Sequence, residues 1–216
     1  MRTFLRLKHR HPARLPAPFI DDVRFPEELA ATFVRRYSQA GQVVFDPFAG
    51  YGTTLVVAEG MGRVAYGVEL DQQRVAYIRS RVSAPQHVFC GDARHALAFD
   101  FPPFQLSLTS PPFLEYGDEA DPLTNYTTPN RSYHAYLDDL CAVYAQLRQR
   151  MLPGAHVVLE VANLKGPLGV TPLAWDVARA LSSVLRFEGE TVIGWDNYRY
   201  GYDHSYCLVF SAPDGE

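Results

Sequence analysis

Two short phrases concentrate the residues that could do chemistry. Asp46-Pro47-Phe48-Ala49-Gly50-Tyr51-Gly52-Thr53-Thr54 follows a brief apolar run and opens a helical pattern. Its glycines, Gly50 and Gly52, let the backbone turn sharply and approach a ligand where a Cβ would clash. The helix start that follows offers free N–H groups, which suit a carboxylate. It is neither a GxGxxG loop nor a phosphate loop, because no lysine follows its second glycine. The second phrase, Thr109-Ser110-Pro111-Pro112-Phe113, is a rigid corner, polar and then aromatic. Ser110 Oγ and the Pro111 carbonyl can each accept one hydrogen of a planar amine. Pro111 and Pro112 fix φ and hold those acceptors in place. Such a corner suits alkylation of an amine.

Taken together and in this order, DPF-A-G-x-G-T-T and S-P-P-F resemble the amino-methyltransferases of DNA. The serine variant resembles the cytosine-N4 type, not the adenine-N6 type. The resemblance implies S-adenosylmethionine as cofactor, S-adenosylhomocysteine as product and no metal. It implies DNA as substrate, with the target cytosine flipped out of the stack against Phe113, and a restriction endonuclease as a potential counterpart. Cofactor contacts would then come from Asp46, Pro47, Phe48, Ala49, Gly50, Gly52, Thr53 and Thr54. Glu69, at the end of the next strand pattern and followed by Leu70, would accept the ribose hydroxyls. Asp92, followed by Ala93, resembles the acid that meets the adenine amino group. Phe25-Pro26-Glu27-Glu28-Leu29 resembles the segment that walls the methionine end, and a plain helix start with proline in its first turn explains it equally well. Cytosine-C5 chemistry needs a nucleophilic cysteine, and this loop has none.

The elements that must carry these phrases alternate. Residues 42–46, 64–69, 86–90, 105–109 and 156–161 read as strands, and residues 53–61, 72–82, 133–151 and 172–186 as helices. Residues 191–195 and 206–211 read as a closing β-hairpin. The expectation is an α/β fold, a doubly wound and mostly parallel sheet with one antiparallel strand from that hairpin. This is the seven-stranded, Rossmann-like class I methyltransferase pattern. Both phrases fall at strand ends, where such sheets bind ligands.

The chain has 216 residues and a net charge of −4. That length suits one catalytic domain, 1–216, without a separate recognition domain. No apolar run approaches a membrane span and no secretory signal is evident. Cys90, Cys141 and Cys207 are widely spaced, which fits a reduced, cytoplasmic protein, nucleoid-associated if DNA is its partner. Residues 1–14 hold Arg2, Arg6, Lys8, Arg10 and Arg14 and no acid. Residues 1–20 read either as a flexible basic arm meeting phosphates, through Arg10 and Arg14, or as a solvated tail. The candidate substrate-facing loops are 114–132 and 196–204. The first offers Tyr116 and Arg131 but also the acids Glu115, Asp118, Glu119 and Asp121, which would repel phosphates. The second offers Tyr198, Arg199 and Tyr200 for stacking and base contacts. The order of the phrases, cofactor loop first, reverses that usual in cytosine-N4 enzymes. The same chemistry on RNA and a non-catalytic nucleic-acid-binding module are the alternative readings.

Overall fold

The apolar run before the glycine-rich phrase becomes a central strand because both of its faces are covered. The computed structural model describes residues 3–20, 22–129, 132–196 and 202–213. In chain order these form β1 (Phe4–Leu7), α1 (Glu27–Tyr37), β2 (Val43–Asp46), α2 (Thr53–Gly60), β3 (Val64–Glu69), α3 (Gln72–Arg79), β4 (Val88–Cys90), β5 (Phe104–Thr109), α4 (Tyr133–Arg148), β6 (Met151–Val161), β7 (Leu164–Gly166), β8 (Gly169–Thr171), α5 (Leu173–Leu181), β9 (Arg186–Trp195) and β10 (His204–Ser211).

Among the described residues the main sheet runs β1-β9-β10-β6-β5-β2-β3-β4, with β7 and β8 as a separate pair. Strands β4, β3, β2, β5 and β6 are mutually parallel. Only β10 runs against its neighbours, inserted between β6 and β9. The seven strands from β9 to β4 are thus the expected class I methyltransferase sheet.

Successive residues of a strand face opposite sides, and two cores result. Phe45, Leu159 and Leu208 join Tyr136, Tyr144 and Leu147 of α4 and Val177 of α5 on one side. Val44, Leu106, Leu108 and Val158 join Leu29 and Phe33 of α1, Leu55 of α2 and Ile78 of α3 on the other. Helix starts carry their own caps. The Asp71 carboxylate accepts from Gln73 and Arg74 N–H ahead of α3, and Ser132 accepts from Ala135 N–H ahead of α4. In α1, Glu27 and Glu28 in the first turn and Arg35 and Arg36 in the last complement the helix dipole.

Two regions differ from expectation. Part of the arm expected to be flexible is a strand: β1 pairs parallel with β9, Phe4 opposite Val192 and Leu7 opposite Trp195. Leu7 is buried while Arg6, Lys8, Arg10 and Arg14 stay exposed. Alternation in Phe4-Leu5-Arg6-Leu7, with Leu5 and Leu7 turned inward and a sheet edge to receive them, outweighed the charge of the segment. Strands β6 and β9 are also longer than the apolar runs within them. Their first residues, 151–155 and 186–190, are held by pairing, Phe104 with Met151 and Ser211 with Arg186, and ladder bonds do not register in hydropathy.

Position follows from topology. The chain turns away from β2 in both directions, β3 on one side and β5 on the other. The carboxyl ends of β2 and β5 are therefore neighbours at the switch point, where such sheets leave a crevice.

Candidate active site

A cavity of 430 Å³ opens at that switch point. From the glycine-rich phrase it is lined by Pro47, Phe48, Ala49, Gly50 and Thr53, from β3 by Glu69 and then Leu70, and from the turn after β4 by Gly91 and Ala93. Phe25 closes one wall. Ser110, Pro111, Pro112 and Phe113 line the same cavity. The two phrases read from sequence therefore share one space.

The glycine-rich loop is held by backbone bonds and by a buried carboxylate. Glu69 Oε2 accepts from Gly50 N–H at 2.8 Å and Oε1 from Asp71 N–H at 2.9 Å. Burial pushes its pKa up, against those two bonds and the Arg74 charge. Lone pairs remain on both oxygens for hydroxyl donors in the cavity. Gly50 and Gly52 have φ of +54° and +75°, where L side chains are strained. A Cβ on Gly52 would lie 2.8 Å from Ile78 Cγ2, whereas on Gly50 it would meet nothing nearer than 3.9 Å. Gly52 is thus needed for packing against α3, and Gly50 leaves room at the cavity wall.

Asp46 does not line the cavity. It is 2% exposed, and its carboxylate accepts from Phe48 N–H at 3.0 Å. Burial raises its pKa to about 7, opposed by the Phe48 N–H bond and by the nearby Thr109 and Thr54 hydroxyls. Its place is beneath the loop it shapes. Pro26, Gly52 and Thr54 also stand behind the lining rather than in it; Thr54 Oγ donates to the Leu108 carbonyl at 3.1 Å. Asp92, expected to meet an adenine amino group, is likewise not in the lining. It caps the short helical turn after β4 and is held by Arg94 at 2.6 Å. Burial pushes that carboxyl up, but the bonds to Arg94 outweigh it and leave the pKa low.

The corner after β5 is pinned by two tyrosines. Tyr136 Oη, buried on α4, donates to the Pro112 carbonyl at 2.8 Å, and Tyr126 Oη donates to the Phe113 carbonyl at 3.0 Å. Neither bond uses the Pro111 carbonyl. Tyr126 and Asn125 both have positive φ, 59° and 55°. They belong to a turn closed by Asp121 N–H to the Thr128 carbonyl at 2.8 Å and Tyr126 N–H to the Asp121 carbonyl at 2.9 Å. Asp121, read from sequence as a phosphate-repelling surface acid, is instead 2% exposed and faces Arg94 at 3.5 Å.

Several lining residues were missed in the sequence. Asp22, Arg24, Tyr51 and Arg74 gather at one end, where Arg74 lies over the Tyr51 ring and within 3.3 Å of Asp22, and Tyr51 Oη bonds Asp22. His9 and Trp195 close another side. Glu160, near the end of β6, is 7% exposed and lines the cavity with Ser110; burial pushes its pKa up, opposed by the nearby Ser205 and Ser110 hydroxyls. A signal for it existed: Glu160, like Asp46 and Glu69, is an acid near the end of an apolar strand run.

Of the nucleic-acid candidates, Arg10 and Arg14 are exposed. Tyr116 packs on Tyr133 with ring centroids 4.6 Å apart, and its hydroxyl reaches Asp176 at 3.3 Å. Arg131, Tyr198, Arg199 and Tyr200 lie outside the described residues. No helix among those described is long and apolar enough to cross a membrane.

Residues 8–80 match the DNA methylase family model. The chain is similar to the Type II methyltransferase M.MthZI of Methanothermobacter thermautotrophicus, 37% identical over 78 residues, or 36% of this chain and 20% of that protein. It is also similar to M.BglII of Bacillus subtilis, 31% identical over 72 residues, or 33% of this chain and 19% of that one. These alignments thus take in about a fifth of each relative. In fold, it resembles the TehB-like SAM-dependent methyltransferase of Corynebacterium glutamicum, with a TM-score of 0.56 over 85% of this chain and 87% of that one, at 13% identity. The chain therefore has the class I methyltransferase fold, and its stretch from residue 8 to residue 80 is similar in sequence to the DNA methylases.

Proposed function

We propose that this protein transfers a methyl group from S-adenosylmethionine to the exocyclic N4 amino group of cytosine in DNA. The observation that carries this reading is the sharing of one cavity by the glycine-rich loop with Glu69 and by Ser110–Pro111–Pro112–Phe113. The similarity to DNA methylases supports the substrate class. The family-model match stops at residue 80, so the choice of cytosine rests on Ser110 itself.

The residues present fit the cofactor. Glu69 keeps lone pairs for two ribose hydroxyls. Gly50 leaves room for close approach, and the start of α2 at Thr53 offers N–H groups to a carboxylate. When bound, the cofactor supplies an electrophilic methyl on a positively charged sulfur.

The amino nitrogen of cytosine is a poor nucleophile because its lone pair is delocalised into the ring. Ser110 Oγ and the Pro111 carbonyl, each accepting one amino hydrogen, turn that nitrogen toward sp³ and aim its lone pair. Tyr136 and Tyr126 hold the following two carbonyls and so prevent the corner from relaxing. Phe113 stacks on the extruded base. The exposed Arg10 and Arg14, with Arg199 and its tyrosines, would grip and read the DNA.

Nucleosides from DNA incubated with the protein and methyl-labelled cofactor, separated by mass spectrometry, test the reading. Labelled N4-methylcytosine is expected, and Ser110→Ala should lower its single-turnover formation about a hundredfold or more while leaving affinity for S-adenosylhomocysteine unchanged. Label on adenine N6, or on RNA in preference to DNA, would overturn the assignment.

A further inference from the structure

Both oxygens of the Asp92 carboxylate are occupied. Oδ1 accepts from Arg94 N–H at 2.8 Å and Oδ2 from Arg94 Nη2 at 2.6 Å, while Nε is shared between them at 3.1 and 2.9 Å. The same guanidinium reaches on to Asp121 at 3.5 Å and Asp139 at 3.4 Å. Asp121 in turn seats the turn that holds Asn125 and Tyr126. Its Oδ1 accepts from Leu123 N–H at 2.9 Å, and its own N–H and carbonyl close that turn. Arg94 thus withdraws one polar group from the cavity and, through Asp121, brings another to its wall. That group is the carboxamide of Asn125.

Asn125 stands beside the carboxylate that would take the ribose. Its Nδ2 lies 3.4 Å from Asp71 Oδ2, and Asp71 N–H is bonded to Glu69 Oε1 at 2.9 Å. Apolar lining gathers at the same end. Leu70 follows Glu69, and Gly91, whose N–H bonds the Glu69 carbonyl at 2.9 Å, lines the cavity with Ala93. Pro122 and Leu123 come from the turn itself, where the Pro122 carbonyl accepts from Asn125 N–H at 3.2 Å. The φ of 55° at Asn125 is one that asparagine adopts more readily than most residues.

We infer that Asn125, in place of Asp92, recognises the adenine ring of the cofactor. The inference rests on the S-adenosylmethionine reading above. A carboxylate can only accept, so it would pair with the 6-amino group and repel the lone pair of the neighbouring ring N1. A carboxamide carries an acceptor and a donor in one plane and matches both. Asp71 decides which way the amide points. Its Oδ2 can only accept, so Nδ2 faces it, leaving Oδ1 and the second Nδ2 hydrogen for the ring. A 6-oxo purine, with N1 protonated and an oxygen at C6, reverses both polarities. The amide could match it only by turning over and setting Oδ1 against the Asp71 carboxylate. The geometry therefore selects a 6-amino purine.

Calorimetric titration with two ligands decides the matter: S-adenosylhomocysteine and its 6-oxo counterpart, S-inosylhomocysteine. The parent should bind the first about tenfold more tightly or better. Asn125→Gly removes the carboxamide and tolerates the left-handed φ. It should bind the adenine compound about tenfold more weakly and the 6-oxo compound nearly as before, so that the preference disappears. Equal weakening of both ligands would mean a structural role only and would overturn the inference. Asp92→Asn, which keeps an oxygen for the cap, should retain the parental preference. Loss of the preference in that variant would return the role to Asp92 and overturn the inference even if Asn125→Gly failed to fold. A parent that binds both compounds equally would do the same. If the parent binds neither compound, the cofactor reading itself fails and the inference falls with it.

Discussion

The cofactor-side wall and the substrate-side wall of the cavity are built on different principles. On the first, a few consecutive residues make their own geometry. Gly50, Asp71 and Phe48 N–H groups are held by carboxylates within 19 residues in sequence, and the loop joins two buried elements directly. On the second, the corner after β5 depends on distant partners: Tyr136 reaches Pro112 from α4, and Glu160 of β6 lines the same cavity as Ser110. Beyond the corner, the hairpin β7–β8 packs on the loop after it. Thr171 Oγ1 accepts from Tyr116 N–H at 2.9 Å, and Leu168 is 77% exposed at the hairpin tip. The contrast teaches that the cofactor half is specified locally, whereas the substrate half is an assembly of remote pieces with an exposed rim.

The largest expected loss comes from breaking the local half. Gly52→Ala puts a Cβ 2.8 Å from Ile78 at a φ of +75°. It should cost roughly 2–4 kcal/mol of stability, from backbone strain and overpacking, and weaken S-adenosylhomocysteine in parallel. Urea unfolding and calorimetric titration on one preparation check both, and parental values would mean that the loop does not depend on its left-handed turn. Tyr136→Phe attacks the assembled half. Losing a buried donor to the Pro112 carbonyl should cost about 1–3 kcal/mol and slow single-turnover methylation while cofactor affinity holds. A parallel fall in cofactor affinity would erase the distinction between the two walls.

Asp46→Asn sharpens the comparison through pH. The folded protein holds the Asp46 proton up to about pH 7, well above the value expected in the unfolded chain. The stability this group contributes is therefore complete below about pH 4 and lost as pH rises toward about 7. The variant should show a shallower fall in unfolding free energy across that interval, leaving the parts due to Glu69 and Glu160, whose pKa values burial also raises. An unchanged slope in urea melts would move the effect elsewhere. The smallest effect should come from the rim. Tyr116→Phe removes only a long, exposed bond to Asp176, so stability should stay within about 0.5 kcal/mol of the parent.

How much of this could be read from the chain depended on distance along it. Residues 42–54 name a strand, a turn and a helix start within one short span, and the structure shows all three there. Residues 86–90 read as one strand, yet Pro85–His87 forms a helical turn and β4 begins at Val88. Residues 164–171 carry no clear alternation, and the hairpin they form is held by long-range contacts such as Thr171 with Tyr116. Asp92 and Asp46 show the limit for single residues. Both stand where an acid could meet a ligand, but one is drawn to Arg94 and the other turns under its own loop.

By itself the sequence determined the alternation of elements, the two phrases and the strand ends that carry them, because periodicity and turn chemistry act over a few residues. Only the tertiary structure decided that the phrases face one cavity, that Asp46 and Asp92 stand outside it, and that Glu160 stands inside it. Those outcomes depend on strand order and on which buried polar group finds which partner. Both are set when strands β2, β5 and β6, far apart in the chain, come to lie side by side.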